Sequence, residues 1–385
     1  MRASQIYAPH EAGAWHFGRI DTIIRGHMPT PAVEDLAHGI AALARAIGRP
    51  VRLMEVCGTH TVAIFRHGIR ALLPASVELL SGPGCPVCVT AAADIEAAIL
   101  LAKRGTAALA TFGDMMRVPG RRDSLAEARA AGADVRVVYS PLDALAMAAR
   151  DPGREIVFFA TGFETTSPLV AGTLAEAERR GIANFSVFPV HKTVPPALRA
   201  LLDSGEVRVD GFILPGHVCT VTGTAPFSFL PEDFGKASVV TGFDAGDILA
   251  GIGMLLAQLA AGSPRVEIQY ASVVRPEGNP RAREILGRFF APCDAHWRGI
   301  GTIPGSGLKL REAFAHRDAV LRFAIDRPEV PDPAACRCGS VLKGIVSPPE
   351  CQLFGRACTP ERPVGACMVS SEGSCAAYYK YHTNG

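Results

Sequence analysis

The sequence predicts an α/β protein built from parallel β-sheets that are covered by helices. Short β-branched or apolar runs alternate with Ala/Leu-rich amphipathic stretches, and the runs are apolar on both faces. Strands that are buried between two layers of helices have this composition. The chain also carries an echo, because Phe159–Glu164 (FATGFE) resembles Val240–Asp244 (VTGFD), each at the end of a predicted strand. The echo and the large number of strands favour two similar lobes that face a central cleft.

The elements follow from composition and periodicity. Strands are predicted where β-branched and apolar residues cluster between turn-forming residues, and helices where apolar residues recur at three- and four-residue intervals. The strands are 51–56, 77–80, 107–112, 135–139, 155–160, 185–190, 209–214, 237–241 and 266–274. The helices include 32–47, 61–72, 91–103, 123–131, 141–149, 166–180, 194–202, 244–261 and 279–290.

Length and charge frame the domain organisation. The 385 residues are expected to form an N-terminal helical segment (1–50), two α/β lobes (51–190 and 191–330) that are free to exchange segments, and a cysteine-rich domain (331–385). Basic and acidic residues nearly balance, 39 against 37, without the basic stripe that nucleic acid requires. No apolar run is long enough to span a bilayer, and the first residues lack a secretory signal. We therefore expect a cytoplasmic protein that binds neither nucleic acid nor membrane.

Six of the 11 cysteines lie in the last fifty residues. In a reducing cytoplasm, clustered cysteines indicate a metal centre rather than disulfides. The tail lacks the paired C-x2-C knuckles of zinc sites, and wide, irregular spacings of thiolate ligands suit an iron–sulfur cubane. The six are Cys336, Cys338, Cys351, Cys358, Cys367 and Cys375.

Two further cysteine motifs follow predicted strands. Cys57 precedes a predicted helix, whose N-terminal amides are expected to lower the pKa of the thiol and to make it a nucleophile or a ligand for a soft metal. His60, one turn later, is a second ligand or a proton partner; the alternative is an inert cysteine at a strand end. Cys85 and Cys88 form a C-x-x-C after a strand and before a helix, which is the arrangement of thiol–disulfide exchange; half of a zinc site is the competing interpretation.

Other polar residues sit at strand-to-helix turns. Asp114 and Glu164 are placed to bind a ligand in the cleft or to cap a helix. His217 follows a Pro-Gly turn and is a further cleft candidate. Cys219 and Cys293 lack a ligand-like setting and are expected to be small core residues.

Together these motifs resemble the HypD family of NiFe-hydrogenase maturation factors. The resemblance covers the chain from about residue 20 onward. It is carried by MEVCGTHT (54–61), GPGCPVC (82–88), GFETT (162–166), PGHV (215–218) and the tail segments CGSVLKG, PPEC, LFG, CTP and PVGACMVSSEG.

The resemblance implies a scaffold on which the hydrogenase iron acquires two cyanides and one carbon monoxide before delivery to the large subunit. The partners implied are a HypC-type chaperone, which supplies its own N-terminal cysteine, and HypE, which brings cyanide. Cys57 would bind the iron of the transient Fe(CN)2CO group, with His60 beside it. Cys85 and Cys88 would be a redox-active pair between that iron and a 4Fe-4S cluster in the tail. The family's fold, two similar lobes and a small cluster domain, agrees with the division made above.

Four of the six tail cysteines are needed for a cubane. Crowding of Cys336 against its neighbour and the position of Cys375 in a possible terminal helix favour the other four as ligands, although either could replace one of them. The favoured set is Cys338, Cys351, Cys358 and Cys367. The main alternative function is an iron–sulfur-dependent thiol–disulfide reductase that acts on a partner protein and gives Cys57 no metal. Whether the protein turns over as an enzyme is left open.

Overall fold

The computed structural model describes residues 30–382, with side chains from 33 to 381. The predicted segment 1–50 therefore lies partly outside the described residues, and its described part is helix α1. The strands are β1 Val51–Glu55, β2 Val77–Ser81, β3 Ala108–Thr111, β4 Val135–Val137, β5 Ile156–Ala160, β6 Phe185–Pro189, β7 Gly211–Pro215, β8 Ala237–Thr241, β9 Val266–Ile268, β10 Phe290–Trp297 and β11 Gly301–Leu310.

The helices alternate with these strands. They are α1 Thr30–Ile47, α2 Gly58–Arg66, α3 Ile69–Leu72, α4 Pro86–Val89, α5 Ala92–Arg104, α6 Leu125–Ala130, α7 Pro141–Arg150, α8 Ser167–Arg180, α9 Val194–Asp203, α10 Gly216–Thr222, α11 Phe229–Phe234, α12 Ala245–Ala261, α13 Pro280–Phe289, α14 Ala319–Arg322, α15 Cys338–Leu342 and α16 Ser374–His382. Among the described residues, none of these helices has both the length and the apolar character needed to cross a bilayer.

The first nine strands form two parallel sheets, which confirms the predicted class. The first sheet has the order β2-β1-β7-β8-β9, and the second has the order β4-β3-β5-β6. Every pair in both sheets is parallel. Because the carboxyl ends of parallel strands share one edge of a sheet, the loops that follow β1, β2, β7 and β8 come together.

The two sheets do not coincide with the ranges 51–190 and 191–330. Strands β1 and β2 pair with β7–β9, so the first sheet uses both ends of the α/β region and the second sheet is inserted between them. Segment exchange of this kind depends on long-range pairing, which local sequence patterns do not encode.

Apolar packing joins the sheets to each other and to the cysteine-rich tail. One continuous cluster of buried residues contains Met54 of the first sheet, Phe159 of the second, and Leu342 and Cys367 of the tail. A second cluster packs α1 and α12 on the first sheet, around Ile40 and Ile252. The tail is therefore held partly by the apolar core that it shares with the sheets.

Three element predictions are wrong in detail. The predicted helix 61–72 is two helices, because Gly68 adopts a left-handed conformation (φ 62°) that ends α2. The predicted strand 266–274 ends at Ile268, where the chain turns back through a hydrogen bond from the Val273 amide to the Tyr270 carbonyl. The antiparallel hairpin β10–β11 is absent from the prediction.

Candidate iron and thiol centre

The Cys57 turn and the Cys85–Cys88 loop lie side by side. Strands β1 and β2 pair in register from Val51↔Val77 to Glu55↔Ser81, so both chains leave the sheet at the same edge. The Gly58 amide donates a hydrogen bond of 2.9 Å to the Gly84 carbonyl. The structure therefore brings together the two motifs that the sequence placed in separate loops.

Glycine at position 84 makes this approach possible. A Cβ atom built on Gly84 would overlap the backbone of Val56 and Cys57. A Cβ on Gly82 would lie only 2.9 Å from the Glu55 carbonyl oxygen, the Met54 sulfur and a Val56 methyl group. Any side chain at these positions would push the two loops apart.

Cys85 and Cys88 are joined by a disulfide. Cys85 caps the N-terminus of α4, and its sulfur accepts a hydrogen bond of 3.2 Å from the Cys88 amide. Both residues are buried, with exposed fractions of 3% and 0%. The Cys88 sulfur faces the carbonyl of Ala366 in the tail at 4.0 Å. The tail therefore covers the pair.

The predicted low pKa of Cys57 is wrong. Burial raises the pKa of the Cys57 thiol to about 12, and the Glu372 carboxylate raises it further. The amides of His60 and Thr59 at the start of α2 lower the pKa, as the sequence suggests, but by less than burial raises it. A thiol in such a place loses its proton when a bound cation supplies the missing positive charge.

His60 is a buried, neutral imidazole with one free lone pair. Its Nε2 lies 2.9 Å from the Gly242 carbonyl oxygen, which can only accept, so Nε2 carries the proton; the Thr241 hydroxyl lies equally close. Nδ1 is buried without a hydrogen-bond partner among the described residues. Burial lowers the pKa of His60 to about 4. A backbone carbonyl that fixes one ring nitrogen while the other stays free is the usual preparation of a histidine ligand.

The ring of Phe243 connects His60 to His217. Phe243 stacks on His60 with ring centroids 4.5 Å apart and on His217 at 4.0 Å. His217 is exposed at the start of α10; burial of part of the ring lowers its pKa, and Glu372 acts in the opposite direction. Thus His217 lies in the same region as His60, on loops that follow β7 and β8.

Glu164 lies on the second sheet. Its Oε1 accepts a hydrogen bond of 2.9 Å from the Val194 amide, and its buried Oε2 has no partner among the described residues. Burial raises the pKa of Glu164 to about 7. Burial also raises the pKa of Cys219, with smaller contributions from Glu164 and Cys57. Cys219 is fully buried, as predicted, but it borders both candidate residues.

All six tail cysteines line one small cavity. Cys338 Sγ lies 2.7 Å from Cys367 Sγ. Contacts from Cys336 and Cys367 hold the pKa of Cys338 well below its usual range, whereas contacts from Cys338 and Cys375 hold that of Cys367 well above it. The six are Cys336, Cys338, Cys351, Cys358, Cys367 and Cys375, with Val341, Leu353, Phe354 and Met368 among their apolar neighbours.

This donor set fits an iron–sulfur cluster better than a single ion. Within residues 30–382, no three His, Cys, Asp or Glu side chains are grouped to hold one metal ion. Six thiols around one cavity with an apolar lining are instead the chemistry that a thiolate-bound cluster requires.

The tail docks on the Cys57 turn through Glu372. Its Oε1 accepts a hydrogen bond of 2.8 Å from the Thr59 hydroxyl, and its Cβ lies where a Cβ on Gly58 would stand. The Ser370 hydroxyl donates to Asp114 Oδ2 at 2.9 Å, so Asp114 holds the tail. The cysteine cavity, the disulfide and the Cys57 turn thus form one continuous region.

Sequence reasoning missed Phe243 and Glu372. Phe243 belongs to the echo of the GFE motif, which gave a signal for its position after a strand. Glu372 ends the tail motif that contains Cys367, but no local pattern indicates that it reaches α2. Cys293 lies outside this region, half-buried on β10.

Comparisons with known proteins identify similar chains over nearly the full length. A family model described as HypD, Hydrogenase formation hypA family, matches residues 31–382. The chain is 48% identical over 351 residues to the Hydrogenase maturation factor HypD of Rhodobacter capsulatus, covering 89% of this chain and 93% of that protein. It is 47% identical over 359 residues to the Hydrogenase maturation factor HypD2 of Bradyrhizobium diazoefficiens, covering 90% and 94%. It is 45% identical over 350 residues to the Hydrogenase maturation factor HypD of Escherichia coli, covering 91% and 94%.

Proposed function

This chain belongs to the HypD family of hydrogenase maturation factors, and on that basis we propose that it is the scaffold on which the iron of a NiFe hydrogenase acquires two cyanides and one carbon monoxide. The observation that carries the proposal is the meeting of three sulfur groups. The Cys57 turn is hydrogen-bonded to the loop of the Cys85–Cys88 disulfide, and the tail cysteines pack against both.

Cys57 is proposed as the ligand that this chain gives to the iron. Its burial disfavours a bare thiolate, so the site retains a proton until a cation such as Fe(II) displaces it. His60 supports the same role, since Nδ1 offers a lone pair and Nε2 is fixed by the Gly242 carbonyl. Soft thiolate and imidazole donors suit ferrous iron.

A partner is needed to complete the coordination of the iron. We propose a HypC-type chaperone that contributes its N-terminal cysteine, HypE as the donor of cyanide, and the hydrogenase large subunit as the eventual recipient. The exposed ring of His217, stacked on Phe243, provides contact surface at the mouth of this region. The cytoplasm, where thiols stay reduced, is the compartment in which we expect this assembly.

The Cys85–Cys88 disulfide is proposed to be the redox partner of the iron site. Its reduction takes up two electrons and two protons and yields two thiols beside Cys57. The Cys338 and Cys367 thiols, whose sulfurs are in contact, can release two electrons and two protons by forming a disulfide. Ala366, next to Cys367, touches Cys88, so this exchange needs no distant carrier.

A 4Fe-4S cluster is proposed in the tail cavity. When bound, the cluster would supply or store single electrons. The contact between Cys338 and Cys367 supports a ligand set that differs from the one favoured by the sequence, because two sulfurs in direct contact are placed for a disulfide. The proposed ligands are therefore Cys336, Cys351, Cys358 and Cys375.

Infrared spectroscopy of the anaerobic complex tests the scaffold proposal. The chain is copurified with a HypC-type partner, and the cyanide and carbonyl stretching bands are recorded. We expect Cys57→Ala to abolish the bands and Cys293→Ala, on the separate hairpin, to retain them. Bands of unchanged intensity in Cys57→Ala would eliminate Cys57 as the ligand.

The second candidate is an iron–sulfur-dependent thiol–disulfide reductase, which is favoured by the disulfide beside the cysteine cavity. Burial of both sulfurs of the pair opposes a protein substrate, because a partner's disulfide would have to reach Cys85. Iron content separates the two: a reductase is expected to hold about four irons per chain, whereas the scaffold holds one more in its complex.

A further inference from the structure

A polar cavity lies beyond the carboxyl end of β6, on the second sheet. We call it the β6 cavity and define it by Asp94, His191, Lys192, Cys293, Lys309 and Arg327. None of these six residues belongs to the iron and thiol centre. Its volume of about 320 Å³ falls at the lower end of the range for small-molecule sites.

Two buried polar side chains in this cavity have unused hydrogen-bonding groups. Both ring nitrogens of His191 are buried without a partner among the described residues. Lys192 is only 3% exposed, and its Nζ lies 3.7 Å from Asp94 Oδ2, which is longer than a normal hydrogen bond. Buried groups of this kind are costly unless something binds them, so their placement on one cavity indicates a ligand.

Gly307 opens the space between Lys192 and Cys293. On β11 it pairs with Cys293 on one side and forms a bridge with Lys192 on the other, so the two side chains share a face of the strands. A Cβ on Gly307 would stand 3.2 Å from the Cys293 sulfur. The absence of a side chain there lets a ligand reach Lys192 from the cavity.

The carboxylates around the cavity are already engaged. Asp94 Oδ1 accepts a hydrogen bond of 2.7 Å from Arg327. Asp318 caps α14 through the Val320 amide at 2.8 Å, and Asp294 accepts from the Gly305 amide at 3.0 Å. The free groups are therefore mainly donors.

Two further positive features face the same space. Lys309 follows Gly307 by two residues on β11 and is exposed at the cavity. Helix α5 begins at Ala92, and Ala91 and Ala93 line the cavity, so the positive end of its dipole is directed there. A ligand rich in acceptors satisfies these groups best.

We propose that the β6 cavity binds the phosphate group of a small molecule, or inorganic phosphate itself. A phosphate group carries a charge of about −1.5 to −2 and three strong acceptor oxygens, which match Lys192, Lys309 and one N–H of His191. The neutral imidazole serves as a donor here, because burial and the Lys192 charge lower the pKa of His191 to about 3.

Protection of Cys293 from alkylation provides a local test. The full-length protein, purified anaerobically, is treated with iodoacetamide in phosphate or in chloride of equal ionic strength, and the Cys293 peptide is quantified by mass spectrometry. At ten times its Kd, phosphate is expected to slow alkylation of Cys293 roughly tenfold by mass action. Matched ionic strength removes general screening as a cause.

Variants assign the protection to this cavity. Lys309→Ala and Lys192→Met are each expected to weaken phosphate roughly tenfold, the loss expected for one charge-assisted hydrogen bond, whereas Lys236→Ala on the first sheet leaves it unchanged. Lys309 is exposed, so its variant is expected to fold even if Lys192→Met does not. Equal alkylation rates in phosphate and chloride, protection that survives in Lys309→Ala, or acetate that protects as well as phosphate would overturn the assignment.

Discussion

The amide of Gly58 donates a hydrogen bond of 2.9 Å to the carbonyl of Gly84, and this contact holds the Cys57 turn against the loop of the Cys85–Cys88 disulfide. The first helical residue after Cys57 is thereby tied to the residue that precedes Cys85. The distance between the proposed iron ligand and the redox pair is thus fixed by backbone rather than by mobile side chains.

Substitution of Gly84 tests this backbone contact. In Gly84→Ala, the new Cβ overlaps the backbone of Val56 and Cys57, so the two loops must separate. We expect a loss of about 1–3 kcal/mol in the free energy of unfolding, as for other overpacked sites, and loss of the cyanide and carbonyl bands in the copurified complex. Thermal unfolding and infrared spectra measure the two effects.

Gly172→Ala is the matched control for that variant. Gly172 lies within α8, and a Cβ added there would meet no atom within 4 Å, so alanine is expected to raise stability by about 0.5–1 kcal/mol through helix propensity. If Gly84→Ala retains both the stability and the bands of the parent protein, the close approach has no role in holding the iron site.

The charge of Glu372 is expected to control the reactivity of Cys57. Glu372 raises the pKa of the Cys57 thiol, second only to burial. Glu372→Gln removes the charge but keeps an oxygen that can accept the 2.8 Å hydrogen bond from Thr59. We expect the pKa of Cys57 to fall and its alkylation at a fixed pH to become severalfold faster, as followed by peptide mass spectrometry.

Glu361→Gln, which removes an exposed tail carboxylate, is the control for general charge effects. The rate of alkylation at Cys57 is expected to match that of the parent protein. A rate in Glu372→Gln equal to that in Glu361→Gln would contradict an electrostatic role for Glu372.

Local patterns predicted the sheets well because the strands are buried on both faces. Each of the nine predicted strands overlaps an observed one, and β8 has the predicted bounds, 237–241. The hairpin β10–β11 escaped prediction because Pro292, Pro304 and several glycines give it the composition of a loop. Its stability comes from packing on the second sheet, which a local window does not contain.

The candidate site was predictable in its residue types but not in its electrostatics. The position of Cys57 between strand and helix is confirmed, and the helix amides do act on it as expected. The sign of its pKa shift depends on the depth of burial and on Glu372, which is more than 300 residues away in sequence. Both are properties of the folded chain.

The buried carboxyl of Glu164 is expected to make stability depend on pH. Its pKa is about 7 in the folded protein against 4.5 ordinarily. The folded state therefore binds the extra proton, so stability is greatest below pH 4.5, falls as the pH rises from 4.5 to 7, and is about 3 kcal/mol lower above that window.

Glu164→Gln removes this titration while keeping an acceptor for the Val194 amide. Relative to the parent protein, the variant is expected to gain stability between pH 5 and pH 8, as measured by urea unfolding at each pH. Glu34→Gln on α1 is the control for an exposed carboxyl. An unchanged difference between Glu164→Gln and the parent at the two pH values would show that Glu164 ionises freely.

Alanine variants of the tail cysteines decide between the two ligand sets. The 2.7 Å contact between the Cys338 and Cys367 sulfurs places these two for a disulfide, so Cys338→Ala and Cys367→Ala are expected to retain a cluster of about four irons and its visible absorbance. Cys336→Ala and Cys375→Ala are expected to lose most of both, because each removes a proposed ligand. Cys351→Ala is expected to lose the cluster under either set and serves as the positive control. Iron and acid-labile sulfide per chain measure the outcome. The reverse pattern, with iron lost from Cys338→Ala and kept in Cys336→Ala, would restore the set favoured by the spacing, since a thiol that holds an iron cannot also serve in a disulfide.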